Sequence, residues 1–384
     1  MMKKSSAALA VIAVLSTAAA AGEVALYGTI DTSLLYTHEK ESGAESKNHF
    51  GMASGFNTAS VFGLEGTEQI GSGAVSFRLE NSFNSDDGAF AGDDTKSGSK
   101  RLFDKEAQLT VSGAWGALSF GRMGTFTAGE GTYDLFLANA DAMDGGYGDY
   151  VGAGYWAASG GIYDNTVTYR SPEFGGVTFY AQYSFGTDSD DARRSRSKNR
   201  YAAAAATFSS GNLSTVLVVD TLMKSRANEA GYAKDLDDAV SVSLGGSYDF
   251  GAVKPFIAVQ YGKHQNGFGA FDASEDHAAG NFDGWVGHVG AAIPAFGGEL
   301  QLSVYYVDAD GHVVSGATGK DDGAKIDIKT WGAAAMQTYE LSKRTSLYGG
   351  VGYMKRELES GEAGERKSEA SKGFQAGFGM IHRF

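Results

Sequence analysis

The chain has 384 residues, 55 of them glycine and three proline, with no cysteine and a formal net charge of −14. Glycine at about double its usual share, without a Gly-X-Y period and with proline nearly absent, excludes collagen-like and proline-rich disordered chains. A 42% hydrophobic and 12% aromatic content is too rich for disorder, the missing cysteines remove disulfide frameworks and thiolate chemistry, and the acidic balance disfavours nucleic-acid binding.

In chain order, Lys3 and Lys4 precede a nine-residue apolar run from Ala7 to Leu15. The small residues Ser16 to Ala21 follow. This is the pattern of a signal peptide over 1–21, which leaves 22–384 as a single domain. The run is too short to cross a bilayer, and no later stretch approaches eighteen apolar residues. Strict alternation begins at once. Val24, Leu26, Gly28, Ile30 and Leu34 share one parity, and Glu23, Tyr27, Thr29 and Asp31 share the other. Such spacing gives a strand one apolar and one mixed face.

Short turns and long polar connections then take turns along the chain. The short turns fall at Ile70–Gly73, Gly113–Gly116, Ser171–Gly176, Ser209–Asn212, Asp249–Val253, Pro294–Gly298 and Leu341–Arg344. Long connections are expected over 38–57, 85–100, 125–160, 187–198, 223–236, 263–281, 309–325 and 357–371. Seven turns and eight loops predict sixteen strands. Pro172, Pro255 and Pro294 all sit at or beside short turns, where no ladder hydrogen bond is lost. The C-terminus repeats the alternation, with Phe374, Ala376, Phe378, Met380, His382 and Phe384 on one parity.

An even strand number with short turns at one rim and long loops at the other predicts an all-β fold, an antiparallel transmembrane β-barrel of sixteen strands. Closure is required because an unpaired backbone group costs several kcal/mol in hydrocarbon. Sixteen strands leave a lumen wide enough for water. The acids are expected to gather in loops, at Asp188, Asp190 and Asp191, at Asp235, Asp237 and Asp238, and at Asp308 and Asp310.

Several segments, in this order, carry a resemblance. Leu26-Tyr27-Gly28-Thr29, Phe62-Gly63-Leu64-Glu65-Gly66-Thr67-Glu68, Gly116 to Arg122, Tyr169 to Gly176, Tyr339 to Tyr348 and the terminal His382-Arg383-Phe384 resemble strands and hairpins of the trimeric general porins of Gram-negative outer membranes. The resemblance implies an integral outer-membrane channel for passive diffusion of small hydrophilic solutes and ions. It also implies a homotrimer in contact with outer-membrane lipid and lipopolysaccharide, assembled by the barrel machinery through a C-terminal strand ending in Phe384. The third loop, about Thr125 to Gly160, would then fold into the barrel and narrow it.

Parity and resemblance together name the constriction. The outward parity of Phe62 and Leu64 sends Val61, Gly63 and Glu65 inward. Val61 and Glu65 stand where the family usually carries basic residues. Ile162, placed on the inner parity of Thr166 and Thr168, stands where an arginine is common. Arg78 is left as the main basic wall residue, with Arg170 below it towards the short-turn rim. Facing it are Asp31, Glu65 and Glu80 on the wall and Asp134, Asp141, Asp144 and Asp149 on the third loop. A cation-preferring pore is the expectation, because a surplus of one sign concentrates the opposite ion in a narrow lumen. Lys105 matches a basic family position, although the parity of Leu109 and Val111 points it outward. Arg122, on the parity of Leu118 and Phe120, is expected to face away from the lumen, its charge relieved against a neighbouring subunit.

Other motifs carry less. Gly145-Gly146-Tyr147-Gly148 lacks the strand–helix setting of a nucleotide site. The seven histidines lack zinc spacing. Asp308-Ala309-Asp310-Gly311 begins like a calcium loop but lacks the later glutamate. No cofactor is expected beyond Ca2+ held loosely by loop acids. The Arg193-Arg194-Ser195-Arg196-Ser197-Lys198 run is read as a solvated loop paired with neighbouring acids. No serine sits in a nucleophile elbow with a histidine to activate it, so no enzyme is expected. The rival readings are a substrate-selective channel and a non-conducting, adhesin-like barrel.

Overall fold

The computed structural model describes residues 23–91, 93–94, 99–144, 152–157, 160–187, 199–224, 237–269, 271–272, 279–314, 321–361 and 367–384. The signal segment, Asp149, the glycines at 145–148 and the basic run at 193–198 lie outside them.

Sixteen strand positions form one antiparallel sheet. Strand β1 is Glu23–Glu41, and β2 runs in two segments, Lys47–Ser54 and Val61–Ile70, both paired with β1. Then follow β3 (Gly73–Ser82), β4 (Glu106–Gly113), β5 (Gly116–Gly124), β6 (Ile162–Arg170), β7 (Val177–Ser184) and β8 (Arg200–Ser210). The second half comprises β9 (Leu213–Met223), β10 (Ala239–Tyr248), β11 (Lys254–Gln265), β12 (Ala279–Ala295), β13 (Gly298–Val314), β14 (Asp321–Glu340), β15 (Thr345–Ser360) and β16 (Lys367–Arg383). Each strand pairs with its chain neighbour. β16 returns to β1, from Thr29 opposite Arg383 to Glu41 opposite Ser371, and closes the barrel. Phe384 completes the seam by exchanging backbone hydrogen bonds with Gly28.

Burial is inverted relative to a water-soluble domain. Leu26, Ile257, Val289 and Phe378 are more than half exposed on the outer parity, whereas Ser119, Thr168, Ser243 and Gln375 are fully buried on the inner one. An outward apolar band around a polar interior is what a hydrocarbon solvent selects. Aromatic pairs mark the upper edge of that band: Trp285–Tyr306, Trp331–Tyr353 and Tyr36–Phe374, with centroids 5.3, 5.2 and 6.4 Å apart. Stacked Trp115–Tyr169 and tilted Tyr248–Phe250 mark the short-turn side. Amphipathic rings favour these interfacial depths.

All seven short turns lie where alternation placed them. The long connections are less uniform. β13 and β14 run to Val314 and from Asp321, so the loop expected over 309–325 shrinks to 315–320. The connection expected over 357–371 likewise shrinks to 361–366, and β1 and β2 take up most of 38–57. Asp308 and Asp310 therefore belong to a strand, on its outward parity opposite Trp285 and Asp283, and not to a loop. That extended pairing is no calcium turn. These strands rise above the apolar band, where outward polar side chains meet water.

Candidate constriction and its charge pattern

The third long connection, L3 (125–161), folds inside the barrel and lies along its inner wall. Near its start Phe126 packs edge-on to Tyr133 and Tyr180. A short helix, α1 (Phe136–Ala140), then buries Phe136, Leu137 and Ala140. Farther on, Asp141 reaches the opposite wall. Both its oxygens accept from the Tyr305 hydroxyl at 2.8 and 2.9 Å, the Met143 N–H donates to it at 2.8 Å, and His288 Nε2 stands 3.6 Å away. Beyond the undescribed residues, Tyr155 stacks on Tyr305 at 4.6 Å and the Ala157 N–H donates to Gln260. Gly332 lets Tyr155 approach: a Cβ there would stand 1.8 Å from the Tyr155 hydroxyl oxygen. The tip after β11 also turns inward, where Gly269 N–H donates to the Tyr155 carbonyl and buried Phe268 packs beneath it.

Between L3 and the wall of β1–β7 lies an open recess of about 570 Å3, lined among others by Glu65, Arg78, Gln108, Thr132, Tyr133, Arg170 and Tyr180. One cluster sets its charge. Arg78 donates to Glu80 at 2.8 Å, forms an ion pair with Glu106 at 3.0 Å and lies over the Tyr27 ring at 4.9 Å. The Tyr27 hydroxyl donates to Glu80 at 2.9 Å, its ring lying across Gly63, where any Cβ would stand 2.5 Å from it. Glu106 is tied to L3 as well, accepting from the Thr132 N–H at 2.7 Å and its hydroxyl at 2.8 Å. Glu65 faces Arg78 across the β2–β3 pair and makes no ion pair among the described residues. The main basic wall residue is thus matched by two carboxylates, with a third beside it.

The remaining residues singled out in the sequence are placed as follows. Val61 lies on the inward parity opposite Thr29 and Ser82. Asp31 points inward, but the interruption of β2 covers it. Asn57 and Thr58 N–H groups donate to it at 2.9 and 2.8 Å and Tyr348 at 2.6 Å, so it anchors that segment and meets no ion in the lumen. Ile162 is a correction. A β-bulge opposite Gly121–Met123, with Asn165 at φ 52°, inserts an extra residue and reverses the parity below it. Tyr163 takes the inward place against Tyr201, and Ile162 turns out.

Lys105 is another correction: it precedes β4, where alternation does not apply, and its ammonium pairs with Glu130 of L3. Arg122 does leave the outer face, yet its charge is met within the same chain. It donates to the Asp104 carbonyl at 2.7 Å and to Asp164 at 2.6 Å, which Arg101 also binds at 2.8 Å. On L3, Asp134 accepts from the Leu137 N–H at 3.3 Å, and burial, with Asp144 nearby, pushes its carboxyl up to about 8. Asp144 is exposed and Asp141 is spent on docking the loop. Arg170 is exposed at the lower end of the recess. Alternation could have found Glu106, since Leu109 and Val111 outward require Gln108 and Glu106 inward. Nothing local announced the Tyr305–Asp141 contact, which spans 164 positions.

A closed barrel of this height, apolar without and polar within, is an outer-membrane channel. The Gram-negative porin family matches residues 7–357, and the chain belongs to that family. It is 31% identical to an outer membrane porin protein of Bordetella pertussis over the whole of both chains. It is 29% identical to outer membrane porin protein 32 of Delftia acidovorans, over 98% of this chain and 96% of that protein. Among solved structures, an anion-selective porin from Comamonas acidovorans superposes with a TM-score of 0.59 at 23% identity, covering 95% of this chain and 100% of that one. The protein is an integral outer-membrane porin and not an enzyme.

Proposed function

We propose that the pore conducts small hydrophilic solutes by passive diffusion and prefers cations, and that it works as a homotrimer. The observation that carries the preference is the cluster at the recess: Arg78 is held by Glu80 and Glu106 while Glu65 is unpaired, a local balance of one positive against three negative charges. Such a surplus raises the local concentration of cations. The solved relative described as anion-selective is 23% identical, and selectivity hangs on a few side chains that this level of similarity leaves free to differ. Support for the trimer is the family resemblance alone, since Arg122 is neutralised within its own chain. Phe384, seated against Gly28 at the closing seam, is the residue on which recognition by the assembly machinery would act.

The test compares wild type with Glu65→Lys in planar bilayers across a KCl gradient, with liposome swelling by neutral sugars of graded size. A cation-signed potential that shifts towards chloride in the variant, with swelling graded by size alone, is expected. An unmoved potential removes Glu65 from the conduction path. Swelling that saturates with one sugar would assign a substrate-selective channel, and none at all a closed barrel. Native mass measurement should give three chains per particle; only monomer would refute the assembly.

A further inference from the structure

Three lysines stand in directly opposed register across the closing seam of the barrel. Lys355 of β15 pairs with Lys372 of β16, which pairs in turn with Lys40 of β1. All three are on the outward parity, one side-chain step nearer the long-loop rim than Tyr353, Phe374 and His38. Directly opposed side chains in a sheet lie about 5 Å apart, and like charges there repel. Lys355 makes a salt bridge with Glu357 of its own strand. Lys329 of β14 faces the same Glu357, so one acid serves four lysines at this site. Lys40, Lys329 and Lys372 make no salt bridge among the described residues. Asp327 and Glu359, paired with each other one row higher, are the next outward acids, and Lys325 already bridges Asp327 and Asp310.

The same hydrogen-bonded row continues from Lys355 to Trp331 and Tyr306, members of the upper aromatic belt. The lysines therefore begin where the belt ends, at headgroup depth on the side of the long loops. A repulsive row at that depth is stable only when something anionic lies across it. We infer that this row is a binding site for the phosphates of a phosphorylated saccharolipid of the outer leaflet, lipopolysaccharide. The row spans two inter-strand spacings, about 10 Å. It suits a headgroup bearing more than one phosphate, with its acyl chains descending past Tyr353 and Phe374. Ammonium–phosphate contacts are charge-assisted and strong at a membrane surface.

The experiment uses the full folded protein in neutral detergent, with bisphosphorylated lipid A and its dephosphorylated form as probes, read by native mass spectrometry. Wild type should retain the bisphosphorylated probe and not the dephosphorylated one. Lys372→Gln should weaken retention about fivefold, equivalent to about 1 kcal/mol. The triple variant Lys40→Gln, Lys355→Gln, Lys372→Gln should weaken it more than twentyfold, and the corresponding triple arginine variant should keep it. Lys343→Gln, at the short-turn rim, serves as the control and should change nothing. Without lipid, Lys372→Gln should melt at a higher temperature than wild type because repulsion is relieved, which separates lost binding from lost folding. Equal retention by wild type and the triple glutamine variant, or equal retention of both probes, would overturn the inference.

Discussion

Replacing Glu106 by glutamine isolates the charge argument, because the amide oxygen still accepts from Thr132 while one negative charge disappears. Glu106 is 1% exposed, 3.0 Å from the Arg78 Nε and 2.7 Å from the Thr132 N–H. The local balance at the recess changes from two negative charges in surplus to one. For an ion passing about 6 Å away in water, one unit charge is worth about 0.7 kcal/mol. Screening over about 10 Å at 0.1 M salt reduces this to about 0.4 kcal/mol. That enriches K+ about twofold and depletes Cl− about twofold, so removing the charge lowers the cation-to-anion permeability ratio about fourfold. At 1 M the screening length of about 3 Å leaves about 0.1 kcal/mol, and the change falls to about 1.4-fold. The assay is the zero-current potential of Glu106→Gln against wild type at both ionic strengths. An unchanged ratio at 0.1 M would show that the Arg78 cluster is electrically invisible to passing ions, and the reasoning from it would fail.

Two further outcomes follow from the docking of L3. Tyr305→Phe removes the hydroxyl that bonds both oxygens of buried Asp141, at a cost of about 1–3 kcal/mol to the seating of the loop; current noise and protease cleavage within L3 should both rise, and a quiet, resistant variant would refute the anchoring role. Asp134, with a carboxyl raised from the ordinary 3.8 to about 8 in the fold, is held protonated at neutral pH. Its contribution to the seating of L3 is fully present below about pH 4 and is lost as pH rises through about 8. Raising pH from 6 to 9 should therefore increase cation preference and channel noise together, and Asp134→Asn should abolish both changes.

Much of the barrel was legible because lipid and lumen impose a period of two on every strand, and because prolines and glycines mark the short turns. Parity failed where one residue was inserted or a segment left the sheet. The bulge at Asp164–Asn165 exchanged Ile162 for Tyr163, and the break in β2 brought Asn57 and Thr58 over Asp31. Parity also stops being informative above the membrane, where both faces of a strand meet water; Asp308 and Asp310 look like loop residues for that reason. The candidate site was half visible. Arg78, Glu80 and Glu65 follow from alternation, but their pairing depends on Tyr27 and Glu106 on other strands and on Thr132 of a loop folded in from above. Loop docking is a long-range event with no local pattern.

The sign of the wild-type zero-current potential across a tenfold KCl gradient, from 0.1 to 1 M, tests the central claim most directly. A surplus of carboxylates around Arg78 predicts the dilute side positive, the sign of K+ crossing faster than Cl−. A negative dilute side, the sign of chloride preference, would contradict the account.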